Sequence, residues 1–178
     1  EATAAALYYT VHSTLAAALM FLVADLVMER RGGAIIAQRP MAQTGLIASL
    51  FFVGAIAMAG MPPLSGFVGK LLVMDAAREH DLIWWIWPVI LVGSLVTIIG
   101  LARAGSEIFW KSHDASHIDD PEPELAGHDE PAEMEQGVAP TPALPFIACF
   151  VLLAGLVLLT IFAGPIMDYT EATAAPLF

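Results

Sequence analysis

Lys70 is the residue whose type and position most invite chemistry. It stands in Gly66-Phe67-Val68-Gly69-Lys70-Leu71-Leu72, inside an otherwise apolar run, with Asp75 five residues further on. An ionisable group in the middle of a membrane helix costs on the order of 3 kcal/mol unless it is paired or hydrated. Desolvation disfavours a charged amine, so a lysine held there can release and regain a proton near neutral pH. Just ahead lies Gly60-Met61-Pro62-Pro63-Leu64-Ser65-Gly66. Pro62 and Pro63 remove backbone donors, while Gly60, Gly66 and Gly69 relax the backbone. Carbonyls and amides freed at membrane depth need protein or water as partners. A discontinuous helix with an ion-carrying residue beside its break is a common form of transporter site. The chemistry expected of Lys70 is proton exchange.

Three further ionisable residues need weighing. His12 is followed by Ser13 and Thr14 and preceded by Thr10. Its ordinary pKa of about 6.5 suits proton hopping, and the neighbouring hydroxyls can hold waters beside it. A hydrogen bond to another helix is the plainer alternative. Asp25 lies five residues before Arg30 and can serve the arginines as readily as a transport path. Asp75 is placed at i+5 from Lys70, which does not face it well, whereas Arg78 at i+3 is a natural partner. Gly69-Lys70 also looks like the end of a phosphate loop. That reading fails because Leu64 stands where the first glycine belongs and Leu71 replaces the Ser or Thr.

Four apolar spans position these groups. The first covers about residues 3–28 and stops at Glu29-Arg30-Arg31-Gly32-Gly33. The second runs over 44–59, is interrupted at 60–66 and resumes to about Arg78. The third covers about 83–108 and the fourth about 144–167. The two halves of the second span are ~24 and ~20 Å long, more than a ~30 Å core needs, so tilt or extension beyond the core is required. Lys70 sits ~12 Å along the helix from Arg78, deep rather than at the headgroups. In the third span, Trp87 and Trp110 are ~35 Å apart, matching the spacing of the two membrane interfaces.

Arg30, Arg31, Arg39, Arg103 and Lys111 lie in or beside the first and third loops, against Arg78 alone in the second. The first and third loops are therefore expected on the cytoplasmic side. Residues 1–111 form one membrane unit, 112–142 an acidic loop, and 143–178 the last span and a tail. The loop holds nine acidic residues and five prolines, too little apolar surface to fold, and is expected to be mobile and cytoplasmic. His113, His117 and His128 fall within it and read as part of a charged linker rather than a metal site.

Composition agrees with this reading. The 178 residues are 58% hydrophobic and 14% charged, with mean hydropathy +0.73. A soluble domain carries about 25% charged residues. The net charge of −11 excludes nucleic acid as a partner, and the single Cys149 excludes an intrachain disulfide or zinc cluster. No metal or cofactor is expected. The chain begins Glu1-Ala2-Thr3 with no basic region ahead of its first apolar run, so it reads as a piece in which no signal peptide is visible.

Val11-His12-Ser13-Thr14-Leu15 heading one span, together with the Gly60 to Lys70 segment, resembles the C-terminal part of the antiporter-like membrane subunits. These occur in Mrp-type multisubunit cation/proton antiporters and in respiratory complex I. The double proline, Lys70 and the following LLVMDAA are most similar to the D-type branch of the Mrp antiporter subunits. The resemblance implies an all-α, polytopic fold of fourteen helices with two inverted five-helix repeats, each holding a broken helix. The four spans would be helices eleven to fourteen.

On that resemblance Lys70 matches the lysine of the second broken helix, and His12 matches a histidine of the central hydrophilic axis. The implied function is a proton-translocating subunit of a sodium/proton antiporter in a bacterial inner membrane. Its partners would be other membrane subunits, protons and a monovalent cation. It would be a secondary transporter subunit rather than an enzyme. The alternative is a proton-pumping subunit of an NADH:quinone oxidoreductase or a membrane-bound hydrogenase. One complex I subunit of this type carries Glu at the lysine position, so Lys70 argues mildly against that subunit. The family's first-repeat lysines and glutamate have no counterpart here, so this segment would hold half of a pathway.

Overall fold

The computed structural model describes residues 2–31, 41, 43–110 and 143–174. The acidic stretch 112–142, with its three histidines, and Arg39 and Lys111 lie outside the described residues. The fold is an all-α membrane helix bundle.

Helix α1 (Ala2–Arg30) is its centre. Tyr8, His12, Ala16, Leu19, Val23 and Val27 are buried at intervals of three and four, which places them on one face of the helix. The opposite face shows Leu7, Val11 and Phe21 to the surroundings. Against the inward face pack α2 (Thr44–Ala59), α3 (Ser65–Ala76), α5 (Ala143–Ile161) and α6 (Ala163–Ala174). Helix α4 (Ile83–Gly105) lies outside them against α2 and α3 and runs on into a π-helical turn, Ser106–Trp110. Leu19, Val23 and Leu26 meet Ile47, Leu50, Phe51, Cys149 and Leu156 in the core. Lipid tails are as apolar as these side chains, so close packing rather than escape from water holds the helices together.

Among the described residues three helices are long and apolar enough to cross a membrane: α1, α4 with its π turn, and α5. Helices α2 and α3, of 16 and 12 residues, together make a fourth, broken crossing. The break is shorter than the sequence suggests, because Ser65 and Gly66 already belong to the first turn of α3. Helix α2 ends in a Schellman motif, with Gly60 at φ 70°, its N–H donating to Ala57 and that of Met61 to Ile56. Pro62 and Pro63, joined by a cis bond, follow directly.

The helix ends alternate between two sides. Arg30 donates to Gln43 at the start of α2 and lies 5.1 Å over the Phe146 ring at the start of α5. Arg31 donates to the Ile108 carbonyl in the π turn at 2.6 Å. The first and third loops therefore leave on one side. On the other, the Trp87 indole N–H donates to Met74 at the end of α3 at 3.0 Å. Trp84 and Trp110, 85% and 75% exposed, stand at opposite ends of α4 and its extension, as interfacial aromatics do.

The fourth span departs from its expected form. Rather than one uninterrupted helix over 144–167, the helix is broken for one residue, Phe162, between α5 and α6. Pro165 has no N–H to offer the Ile161 carbonyl, so the ladder loses a bond there. This stretch is tied to α1 by the buried Tyr8 hydroxyl, which donates to the Leu159 carbonyl at 2.9 Å. Tyr8→Phe leaves that carbonyl short of a donor. The expected loss is about 1–2 kcal/mol, read as a lower midpoint of thermal unfolding for the detergent-solubilised full-length protein. An unchanged midpoint contradicts a structural role for this bond.

Candidate functional site

The break between α2 and α3 brings two ionisable side chains to its two faces. Lys70, in the second turn of α3, folds back over Gly60. A Cβ added at Gly60 would lie 2.7 Å from each of the lysine's Cδ, Cε and Nζ. Glycine is needed there twice, for the positive φ and for the passage of the lysine. The Nζ donates to the Ala59 carbonyl at 2.6 Å and to the Ser94 hydroxyl at 2.7 Å. The first is the freed C-terminal end of α2, where the helix dipole favours a cation.

Ser94 gives the depth. It stands eleven residues from either end of α4, Ile83 and Gly105, which is ~17 Å each way. With the π turn the span runs on to Trp110, sixteen residues beyond Ser94, so the amine meets this span well inside both of its ends. Among the described residues the ion pairs are Arg30–Glu29, Arg78–Asp75 and Arg103–Glu107, and no carboxylate lies within 4.0 Å of Lys70. Lys70 instead lines a cavity of about 380 Å³ with Tyr9, Met58, Val73, Ser94 and Thr97. A cavity of that size with hydroxyls on its wall can hold several waters.

His12 lies on the other face of the break and is 2% exposed. Its Nδ1 is 2.8 Å from the Oγ of Ser65, the fully buried first residue of α3. The Ala57 carbonyl of α2 is the ring's other hydrogen-bonding partner. A carbonyl only accepts, so the nitrogen facing Ala57 carries a hydrogen. In the neutral ring Nδ1 then accepts from the Ser65 hydroxyl. The imidazole thus bridges the two half-helices. It is near enough to Lys70 for their charges to interact, and its ring lies 5.8 Å from that of Tyr9.

The other sequence candidates are not gathered here. Ser13 and Thr14 both donate to the Thr10 carbonyl of their own helix, at 3.0 and 2.8 Å. Asp25 is exposed on α1, thirteen residues from His12, or ~20 Å along the helix. Asp75 pairs with Arg78 at 3.0 Å, both side chains about two-thirds exposed. Among the described residues no group of three or more His, Cys, Asp or Glu converges as a metal site would need. Four residues of the site carried no expectation: Tyr9, Ser65, Ser94 and Thr97. Ser94 and Thr97 were visible in principle, as the only polar side chains in the apolar body of α4, one turn apart.

Comparison with known proteins points the same way. Residues 1–97 match the family described as NADH:quinone oxidoreductase/Mrp antiporter, TM. The chain is 27% identical to the D-type subunit of the Na(+)/H(+) antiporter of Alkalihalophilus pseudofirmus, over 97% of this chain and 32% of that protein. To the D-type subunit of the probable K(+)/H(+) antiporter of Rhizobium meliloti it is 26% identical, over 98% of this chain and 34% of the relative. The N-type subunit of the NADH-quinone oxidoreductase of Ectopseudomonas mendocina is 28% identical, over 64% of this chain and 19% of that relative. The chain thus spans about a third or less of the length of these relatives. No solved structure matches. With the family match covering more than half of its residues, the chain belongs to the NADH:quinone oxidoreductase/Mrp antiporter transmembrane family.

Proposed function

We propose that this chain is the part of a proton-translocating antiporter subunit that holds its second broken helix, with Lys70 as the group that takes up and releases the proton. The observation that carries this reading is the place of the lysine nitrogen. It lies on the freed Ala59 carbonyl and the Ser94 hydroxyl, well inside the ends of the spanning helix α4, without a carboxylate mate among the described residues and beside a cavity. A buried ammonium salt-bridged to a carboxylate would be held in one charge state, whereas hydrogen bonds to neutral oxygens leave it free to alternate. His12 is the relay partner on the opposite face of the break, coupled to Lys70 through their charges. The side bearing Arg30 and Arg31 is cytoplasmic.

The exchanged ion is a monovalent cation, sodium on the resemblance to the Alkalihalophilus pseudofirmus protein. The Rhizobium meliloti relative is named for potassium, and proton flux driven by each cation in turn distinguishes the two. The partners are the remaining subunits of a membrane complex. A redox-linked complex is the second reading, supported by the NADH-quinone oxidoreductase relatives. It is the weaker one, because the two antiporter relatives cover 97% and 98% of the chain and the Ectopseudomonas mendocina relative 64%. The test is cation-driven proton flux through the full-length complex with position 70 varied. Loss of flux in Lys70→Ala supports the reading, and flux at the wild-type rate overturns it.

A further inference from the structure

We infer that Ser94 is a positioning residue for proton transfer at Lys70, holding the amine in place in both of its protonation states. The inference rests on Lys70 being the proton carrier. An ammonium has three N–H donors. One goes to the Ala59 carbonyl and one to the Ser94 hydroxyl, and the third has no protein partner among the described residues. The amine also lines the cavity, so the third N–H is the one open to water. Ser94 sends its own hydrogen to the Ile90 carbonyl at 2.7 Å, which turns its oxygen lone pairs toward Lys70.

The balance of the step is simple. An N–H bond of the ammonium breaks, nitrogen keeps the electron pair, and the proton passes to a water in the cavity. The two remaining N–H groups still reach Ala59 and Ser94. If instead the proton leaves from the serine side, the Ser94 hydroxyl can turn from Ile90 and donate to the amine lone pair. A hydroxyl can either accept or donate, whereas a carbonyl can only accept. That difference makes Ser94 the partner that serves both states. Without it, the ammonium loses a charge-assisted hydrogen bond while the neutral amine loses much less.

The expected consequence is a displaced pH profile. A hydrogen bond to a charged group is about 1.5 kcal/mol or more, which corresponds to about one pH unit. The charged form loses more, so Ser94→Ala should shift the pH dependence of exchange by about one unit toward acid. The titratable groups facing Lys70 from its neighbours are Tyr9 and His12 on α1. Among the described residues, α2 and α4 present none there, and Asp75 on its own helix is held by Arg78.

The experiment measures sodium- and potassium-driven proton flux across pH in vesicles containing the full-length complex. The complex carries Ser94→Ala, Ser94→Thr or Ser94→Cys, and assembly is quantified on native gels. The displaced profile for Ala with restoration by Thr is the expected result. If Ala fails to assemble, Cys decides, since its thiol keeps the volume but accepts weakly, and it should shift the profile in the same direction. Superposition of the variant profile on the wild-type one overturns the inference. Lys70→Ala, measured alongside, separates the two claims. Flux that survives it removes the proton-carrier reading, whereas flux lost there with an unmoved Ser94 profile removes the positioning role alone.

Discussion

Lys70→Ala in the full-length complex abolishes cation/proton exchange while the complex still assembles, and Lys70→Arg does no better. Alanine removes the ionisable side chain that bonds the middle of α4 at Ser94 and lines the cavity beside it. A positioned proton-transfer group contributes about 10²-fold or more to its step, so exchange should fall by at least that factor. Assembly persists because the lysine makes no ion pair, and its removal leaves just one backbone acceptor, Ala59, to be met by water in the cavity. That is a cost of about 1–3 kcal/mol, small beside the packing of the whole bundle around α1. Arginine fails for a different reason. Guanidinium keeps its proton at any accessible pH, so the residue stays charged and the cycle stops with one state populated. Its fork is also too large for a passage in which Gly60 already lies against the lysine chain. The measurement is dye-reported proton flux after a sodium or potassium pulse, normalised to assembled complex. Exchange retained by the arginine variant at the wild-type rate would mean that position 70 serves by charge alone.

How much of this could be read from the sequence depends on whether a residue's role is local or borrowed from a distant helix. The break was legible because Gly60, Pro62 and Pro63 act on their own backbone, through a positive φ and missing donors. The inward face of α1 was not legible, because Leu7, Val11 and Phe21 on its outward side are as apolar as the buried Leu19 and Val23. Ser94 was not legible as a site residue. A lone serine in an apolar helix normally satisfies itself on the carbonyl four residues back, and Ser94 does so on Ile90. Its acceptor role toward Lys70 uses the other side of the same oxygen and exists only once α3 and α4 are docked. Ser13 and Thr14 misled in the opposite way. Adjacency in sequence turns successive helix positions by about 100°, so neighbours of the buried His12 face elsewhere and bond back to Thr10. The interruption at Phe162 was hidden because hydropathy runs straight through a proline that sits in the first turn of the next helix.

Among the glycines of the described residues, Gly66→Ala should have the largest structural effect. The added Cβ would run into the Ala57 carbonyl and lie 2.7 Å from His12 Nε2 and 2.9 Å from its Cε1. Neither obstacle can swing aside. The carbonyl is backbone of α2 and already accepts from Gly60, and the imidazole is 2% exposed and bonded to Ser65. The first turn of α3 would have to lift off α2, parting His12 from Ser65 or from Ala57. Overpacking of this kind costs about 1–3 kcal/mol, and each buried hydrogen bond broken with it a further 1 kcal/mol or so. Three helices meet at this point, so the expected outcome is a fall of about tenfold or more in assembled complex on native gels. Gly60→Ala provides the contrast. There the added Cβ meets the far end of the flexible Lys70 chain, and the backbone at φ 70° costs about 1–2 kcal/mol for a residue with a side chain. That variant should assemble yet lose most of its exchange, because the amine is pushed from its place over the break. Finding Gly66→Ala assembled and exchanging like wild type, or Gly60→Ala exchanging normally, would show that the half-helices do not meet at His12 and Lys70 as described.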